Sequence, residues 1–302
     1  MAANWIDLLD PTPDELRAEA PRDLEETAFA LLTAEPQHED EPRPTLQGHG
    51  DYVFGVFLLA VAQPAQDTVY YQEIGVVVTC DALLTVRKTP EHGAPYDLAP
   101  VRESVRDDDS GGMILYRLVD DLAERYLDLV DDLDEEIDEL EDRVEGQSAE
   151  KTRQRISDLR HDLLHIRRTL APMRDAVRRV VMNAVEVEEG RDVFPQEVEV
   201  AFNAAYDKLM RALDGLELSR DLLASVRDYS QAKVANDQNE VMKRLTVVAS
   251  LLLLPTFIVG LYGQNFTNIP ELGWSWGYGY VWGVIVVTTL LQLWWFKRKN
   301  WI

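Results

Sequence analysis

Towards the end of the chain the alternation of polar and apolar residues stops twice. Leu245 to Tyr262 is 18 residues without a charge, and Tyr278 to Phe296 is 19 without one. At about 1.5 Å per residue, each predicts a helix able to cross a hydrocarbon core of about 30 Å. Trp274, Trp276, Tyr278, Tyr280 and Trp282 crowd one border of the second run, and Trp294, Trp295 and Trp301 the other, as interfacial belts do. A buried soluble hairpin is the competing reading. Lys243 and Arg244 precede the first run and Lys297, Arg298 and Lys299 follow the second, whereas the connecting loop holds Glu271 and no Lys or Arg. The positive-inside rule therefore predicts a multi-pass protein of the cell membrane, with both termini cytoplasmic and the loop outside. Two spans cannot enclose a large aqueous path, so a pore requires several subunits.

Upstream the pattern is different. Residues 51–62 and 68–88 are rich in Val, Tyr, Phe and Leu and read as strands, with Cys80-Asp81-Ala82 near a hairpin turn. Residues 35–50 and 89–112 are rich in turn formers and read as loops, and a short helix around Arg22–Leu32 is expected to cover the sheet. From Ile114 the spacing changes to threes and fours through Leu118, Leu122, Tyr126, Leu129, Leu133, Ile137, Leu140 and Val144, which marks a long amphipathic helix. Gly146 and Ser148 interrupt it, and a second helix is expected from Glu150 to Val187. A third begins after Pro195, where proline suits a first helical turn, and its stripe runs without a break into the first span. One helix of about 65 residues, on the order of 100 Å, would carry a cytoplasmic event to the outer face. The fold class is α+β: a cytoplasmic α/β domain at 1–112 and a helical hairpin at 113–194. A stalk helix continuing into the first span follows at 195–262, then an outer loop at 263–277, a second span at 278–296 and a basic tail at 297–302.

Composition narrows the chemistry. The net charge is −24, from 54 Asp+Glu against 30 Lys+Arg. That excludes nucleic acid as a partner, since a phosphate backbone needs a basic footprint. Arg far outnumbers Lys, and with so many carboxylates this suggests a high-salt cytoplasm. Fourteen acids fall between Asp120 and Glu145, against Arg125 and Arg143 alone. They are either a cation-collecting surface or a solvated face. The helix that follows is basic, so the two form an antiparallel hairpin of complementary charge. Exposed pairs contribute about 0.2–1 kcal/mol each, so the apolar seam does most of the holding. Cys80 is the single cysteine, which excludes an internal disulfide and a thiolate cluster. The start, MAANWIDLLDPTPDEL, lacks the basic and apolar regions of a cleavable signal peptide. No nucleophile–base pair, phosphate loop or zinc signature appears, which argues against an enzyme and against a cofactor. His161 and His165, four apart, could share a metal on one helix face; with no third ligand nearby, a surface pair is the simpler reading.

Within the stalk helix, Asn239, Met242, Thr246, Ser250, Leu253, Thr256 or Phe257, and Gly260 recur at threes and fours and share one side. Such a stripe either glues helices together or faces a channel axis, with Met242 and Leu253 as apolar constrictions. Here the sequence resembles the CorA family of divalent-cation channels. NEVMKRLTVVASLLLLPTFIVGLYGQNFTNIPEL, a second span and KRKNWI carry the likeness most strongly. RPTLQGHGDYVFGVF and LDLVDDLDEEIDELEDRV extend it upstream. The family's mark is Gly-Met-Asn at the outer end of the first span, followed by Pro-Glu-Leu; Gly263, Asn265 and Pro270-Glu271-Leu272 agree.

The resemblance implies a funnel-shaped homopentamer whose pore is lined by the first span. Asn239, Met242, Thr246, Leu253, Thr256, Gly263 and Asn265 fall at its pore positions, with Gly263 letting the helix end turn. It implies passive Mg²⁺ influx, with Co²⁺ or Ni²⁺ also carried, selection of the hydrated ion at a ring of Asn265 carbonyls, and cytoplasmic gating. Mg²⁺ is then the substrate and also a regulator. A Zn²⁺ transporter on the same scaffold and a non-conducting coiled-coil scaffold anchored in the lipid bilayer are the alternatives. Three positions depart from the family. Gln264 replaces Met, Pro255 follows Leu254 where relatives place the proline at the earlier position, and Tyr206-Asp207-Lys208 has Ala204 where an acid is common. Asp207 is the remaining candidate for a regulatory Mg²⁺ contact.

Overall fold

The computed structural model describes residues 3–35, 43–63, 68–185, 187, 192–264 and 269–302. The chain divides into two compact units, one extending to Arg227 and one of Asp228–Ile302.

The first unit is built on a five-stranded sheet, β1 (Asn4–Leu9), β2 (Thr45–His49), β3 (Tyr52–Gln63), β4 (Thr68–Val78) and β5 (Ala82–Arg87). The spatial order is β1-β5-β4-β3-β2, with β1 parallel to β5 and the other neighbours antiparallel. Alternation along the strands divides the side chains between two cores. Phe54, Val56, Val77, Leu84 and Val86 face α1 (Pro13–Glu19) and α2 (Glu26–Thr33), where Leu16, Ala28 and Leu32 close the layer. Val53, Phe57, Leu59, Ile74, Val76, Val78 and Leu83 face the opposite way, into a larger core. That core is supplied by α3 (Ala99–Ser104), α4 (Gly111–Arg143), α5 (Ala149–Val181) and the first part of α6 (Gln196–Tyr262). The sheet is thus sandwiched between helical layers, the arrangement that buries both faces of a strand set this apolar.

The strand and helix expectations hold for β3, β4, β5, α2 and the three long helices, while four local features differ. The segment NWIDLL forms β1, where no element was expected. Thr45–His49 is a strand inside the segment expected to be loop, because it pairs with β3 in register Leu46↔Gly55. The second expected loop contains α3 and the first turn of α4, capped by Ser110, whose Oγ accepts from Met113 N–H at 3.3 Å. Finally, α5 ends at Val181 rather than Val187. Asn183 adopts φ 50°, its N–H donates to Val180 O at 2.9 Å, and Ala184 N–H reaches back to Arg179 O at 2.8 Å. This left-handed stop satisfies the terminal carbonyls although the apolar pattern continues past it.

Tyr126 ties three elements of this unit together. Its hydroxyl lies 2.7 Å from Leu58 O of β3 and 2.9 Å from Thr169 Oγ1 of α5, and accepts from Ala60 N–H at 3.3 Å. The ring is fully buried. Tyr126→Phe would leave backbone groups of β3 without this partner, which costs about 1–3 kcal/mol. A lowered thermal midpoint of the variant, with helical content unchanged, is the expected measurement.

The apolar seam of α4 and α5 is complemented at its margin by charge, as Arg155 binds Glu136 across the two helices. Between α4 and α6 stands a different arrangement. Lys208 places its ammonium 3.0 Å from Asp120 Oδ1 and 2.7 Å from Glu124 Oε2. Partial burial opposes that charge, but its hydrogen bonds to Glu124 and Asp120 prevail and hold its pKa above the ordinary lysine value.

Candidate ion pathway

The second unit contains the C-terminal part of α6, a 3₁₀ turn at Pro270–Gly273 and α7 (Gly277–Arg298). Among the described residues, α6 and α7 are the two helices long and apolar enough to cross a membrane. Their apolar side chains are mostly exposed in the single chain, which suits lipid or further subunits as surroundings and excludes a buried soluble hairpin. Aromatic rings gather at both ends of α7. Trp274 stacks on Trp276 with centroids 5.0 Å apart and both meet Tyr280 edge-on, while Trp295, Phe296 and Trp301 cluster at the other end.

Val247 and Ile258 are the buried apolar residues of α6 in this unit, and Ile285 and Phe296 those of α7. Gln292 of α7 donates from Nε2 to Ser250 O at 3.4 Å, joining the two helices near the middle of the spans. At about 100° per residue the stripe of Asn239, Met242, Thr246, Leu253, Thr256 and Gly260 lies about a third of a turn from Val247 and Ile258. All six are exposed, Leu253 at 73% and Met242 at 59%. Ser250 sits on the flank of the stripe and is half-buried.

The two threonines of the stripe share one chemistry. Thr246 Oγ1 donates to Met242 O at 2.8 Å and Thr256 Oγ1 to Leu252 O at 2.7 Å. With the proton committed to the backbone, each hydroxyl presents only lone pairs outward. Their outward lone pairs suit the water shell of a cation better than an anion. Leu253 lies between these acceptors and interrupts them with an apolar collar.

At its C-terminal end α6 closes without a left-handed residue at Gly263. Gly263 has no positive φ, and its N–H donates to Val259 O at 2.9 Å in the helical pattern. What the position lacks is room, since a Cβ there would lie 3.1 Å from Val259 O. Gln264 is exposed, with its N–H 3.4 Å from Leu261 O. Asn265 lies outside the described residues. Glu271, half-buried, sits in the 3₁₀ turn, and its carbonyl oxygen would be 2.2 Å from a Cβ on Gly277. Gly277 is therefore what lets the turn rest on the start of α7.

Asp207 is exposed on α6 in the first unit. Among the described residues no group of three or more His, Cys, Asp or Glu side chains could hold a metal ion, so Asp207 joins no such group. Sequence reasoning did not anticipate Gln292, Gly277 or Lys208. The isolated amide in an otherwise apolar span was the one signal that could have singled out Gln292.

A family model described as "CorA-like Mg2+ transporter protein" matches residues 2–298. The "Cobalt/magnesium transport protein CorA" of Thermotoga maritima is 31% identical over 86% of this chain and 73% of its own length. The "Zinc transport protein ZntB" of Yersinia enterocolitica is 28% identical over 64% of this chain and 57% of its own length. In fold, the chain matches the complete structure of the CorA magnesium transporter from Methanocaldococcus jannaschii with TM-score 0.78 and 21% identity, covering 99% of this chain and 91% of that one.

Proposed function

Since the chain belongs to the CorA family of divalent-cation transporters, membrane proteins and not enzymes, we propose that it is a passive channel for hydrated Mg²⁺. Co²⁺ and Ni²⁺ are secondary cargo. The observation that carries the reading is the stripe on α6, where donor-free threonine oxygens and apolar collars alternate on a face left exposed by α7. Mg²⁺ sheds its water reluctantly and prefers hard oxygen. A wall of lone pairs can pass the ion with its shell intact, and neutral amide carbonyls of Asn265 at the mouth select it without a carboxylate trap that would slow its exit. Gln264, exposed beside them, adds a second amide to the rim.

One α6 cannot enclose a path, so the pore is assembled from several copies, in a funnel-shaped pentamer as the family resemblance implies. Both termini are cytoplasmic, by the basic residues that flank the spans. A potential of 100 mV, negative inside, then drives a divalent ion inward with about 4.6 kcal/mol. Met242 and Leu253 are the constrictions, and rearrangement of the first units opens them. Asp207 contributes to regulation only with a ligand from a neighbouring copy, since the described residues of its own chain gather no such group around it.

A second reading, zinc transport on the same scaffold, draws on the zinc-transporting relative. Both are tested by ion uptake into proteoliposomes of the purified chain. Mg²⁺ uptake is expected to rise with an inside-negative potential and to be indifferent to a pH gradient. Zinc uptake that follows the pH gradient, with no Mg²⁺ flux, would establish the second reading. Absence of flux for every ion would leave the non-conducting scaffold.

A further inference from the structure

The proposed ion pathway leaves one pair of ligand-bearing side chains unused. His161 and His165 lie one helical turn apart on α5, with their Nε2 atoms 3.2 Å from each other and ring centroids 4.2 Å apart. On the other side of the second ring, His165 Nδ1 lies 2.8 Å from the hydroxyl of Tyr71 on β4. Two nitrogens bound to one tetrahedral ion, each about 2.0–2.1 Å from it, stand about 3.3 Å from one another. The two imidazoles are therefore already at the separation of a chelating pair.

We propose that His161 and His165 form a site for a borderline transition-metal ion of the Zn²⁺, Co²⁺ or Ni²⁺ class, with solvent completing the coordination and Tyr71 orienting His165. Both Nε2 atoms must offer a lone pair, which requires neutral rings protonated at Nδ1. His165 Nδ1–H then donates to Tyr71 Oη, the outer contact that ordinarily fixes the tautomer of a ligating histidine. The strand supports this placement, because Tyr71 is held opposite Ala60 in the β3–β4 ladder. Arg168 places its positive charge near His165. His161 is exposed, which leaves the site open to solvent.

Arg168 also repels an incoming cation. Coordinate bonds to nitrogen overcome that repulsion only for ions that favour imidazole, and Mg²⁺, which favours hard oxygen, is excluded. With two protein ligands in place of the four of a closed structural site, the ion exchanges freely. The inference goes beyond transport. It gives the first unit a means of distinguishing transition metals from the Mg²⁺ the pathway carries.

The test uses the full chain in detergent, purified without a polyhistidine tag and kept in large excess Mg²⁺ to fill oxygen-ligated sites. Equilibrium dialysis with Zn²⁺ is expected to show one ion per chain, bound through two imidazole nitrogens by X-ray absorption at the zinc edge. His161→Ala and His165→Ala should each abolish that ion, and Tyr71→Phe should weaken it about tenfold. Because His161 is exposed, its replacement is expected to leave the thermal midpoint of the metal-free chain unchanged. Zinc binding should persist in Asn265→Ala, so that failure of the transport reading and failure of this one are separable. Zinc retained by both alanine variants, displacement by Mg²⁺, or a wild type that holds no zinc would each overturn the proposal.

Discussion

Asn265→Ala is expected to lower Mg²⁺ uptake by at least about a hundredfold while the oligomer remains intact. In a pentamer the substitution removes five amide carbonyls at once. Each contact to a hydration water contributes about 0.5–1.5 kcal/mol, so the ring as a whole is worth several kcal/mol, and about 1.4 kcal/mol is already tenfold. Asn265→Asp separates binding from passage. Carboxylates should hold Mg²⁺ more tightly and release it more slowly, giving stronger retention with reduced flux. Potential-driven Mg²⁺ uptake in proteoliposomes reads both variants, beside size-exclusion profiles of the protein. Wild-type uptake in Asn265→Ala would remove the selectivity ring from the mechanism.

The second large effect belongs to Leu253. Its side chain is the most exposed large apolar group of the stripe and is followed within one turn by the lone pairs of Thr256. An apolar collar at that height closes a narrow path by expelling water, without any plug. Leu253→Ser is expected to hydrate the collar and to raise basal Mg²⁺ flux about tenfold or more under conditions that close the wild type, since removing about 1.4 kcal/mol of barrier suffices for tenfold. Leu253→Ile, which keeps the collar apolar, should stay closed. Uptake measured with Mg²⁺ preloaded inside the vesicles separates the two outcomes. Equal basal flux in Leu253→Ser and the wild type would place the gate elsewhere.

How far the sequence revealed this depended on whether the decisive physics was local. The long helices were legible because their apolar positions recur over many turns, and the spans because charge is absent over about the thickness of a hydrocarbon core. β1 was hidden by Asp7. A carboxylate in the middle of NWIDLL breaks the strand pattern, and only the fold shows Arg87 meeting it at 2.7 Å from a neighbouring strand. β2 was hidden for a related reason, since TLQGH has little apolar content of its own and is extended because β3 lies beside it. At the end of α5 the stop signal was a single asparagine, outweighed by the valines that follow it.

The candidate pathway divides in the same way. A stripe at threes and fours is a property of one helix and could be read directly. The hydrogen bonds that turn Thr246 and Thr256 into pure acceptors, and the amide of Gln292 reaching Ser250, depend on side-chain geometry that spacing does not encode. At Gly263 the local geometry is visible only in the fold, where its N–H continues the helical pattern to Val259 O. Its small size matters where the chain passes close to Val259 O, and no left-handed turn is made there.

Lys208 gives the contact between α4 and α6 a counter-ion that is part of the polypeptide. A chelator that strips every divalent ion from solution leaves this one in place, so the joint between Asp120, Glu124 and α6 does not loosen as the magnesium supply falls. Both carboxylates already have a covalently tethered cation, and neither needs a dissolved one as its counter-ion.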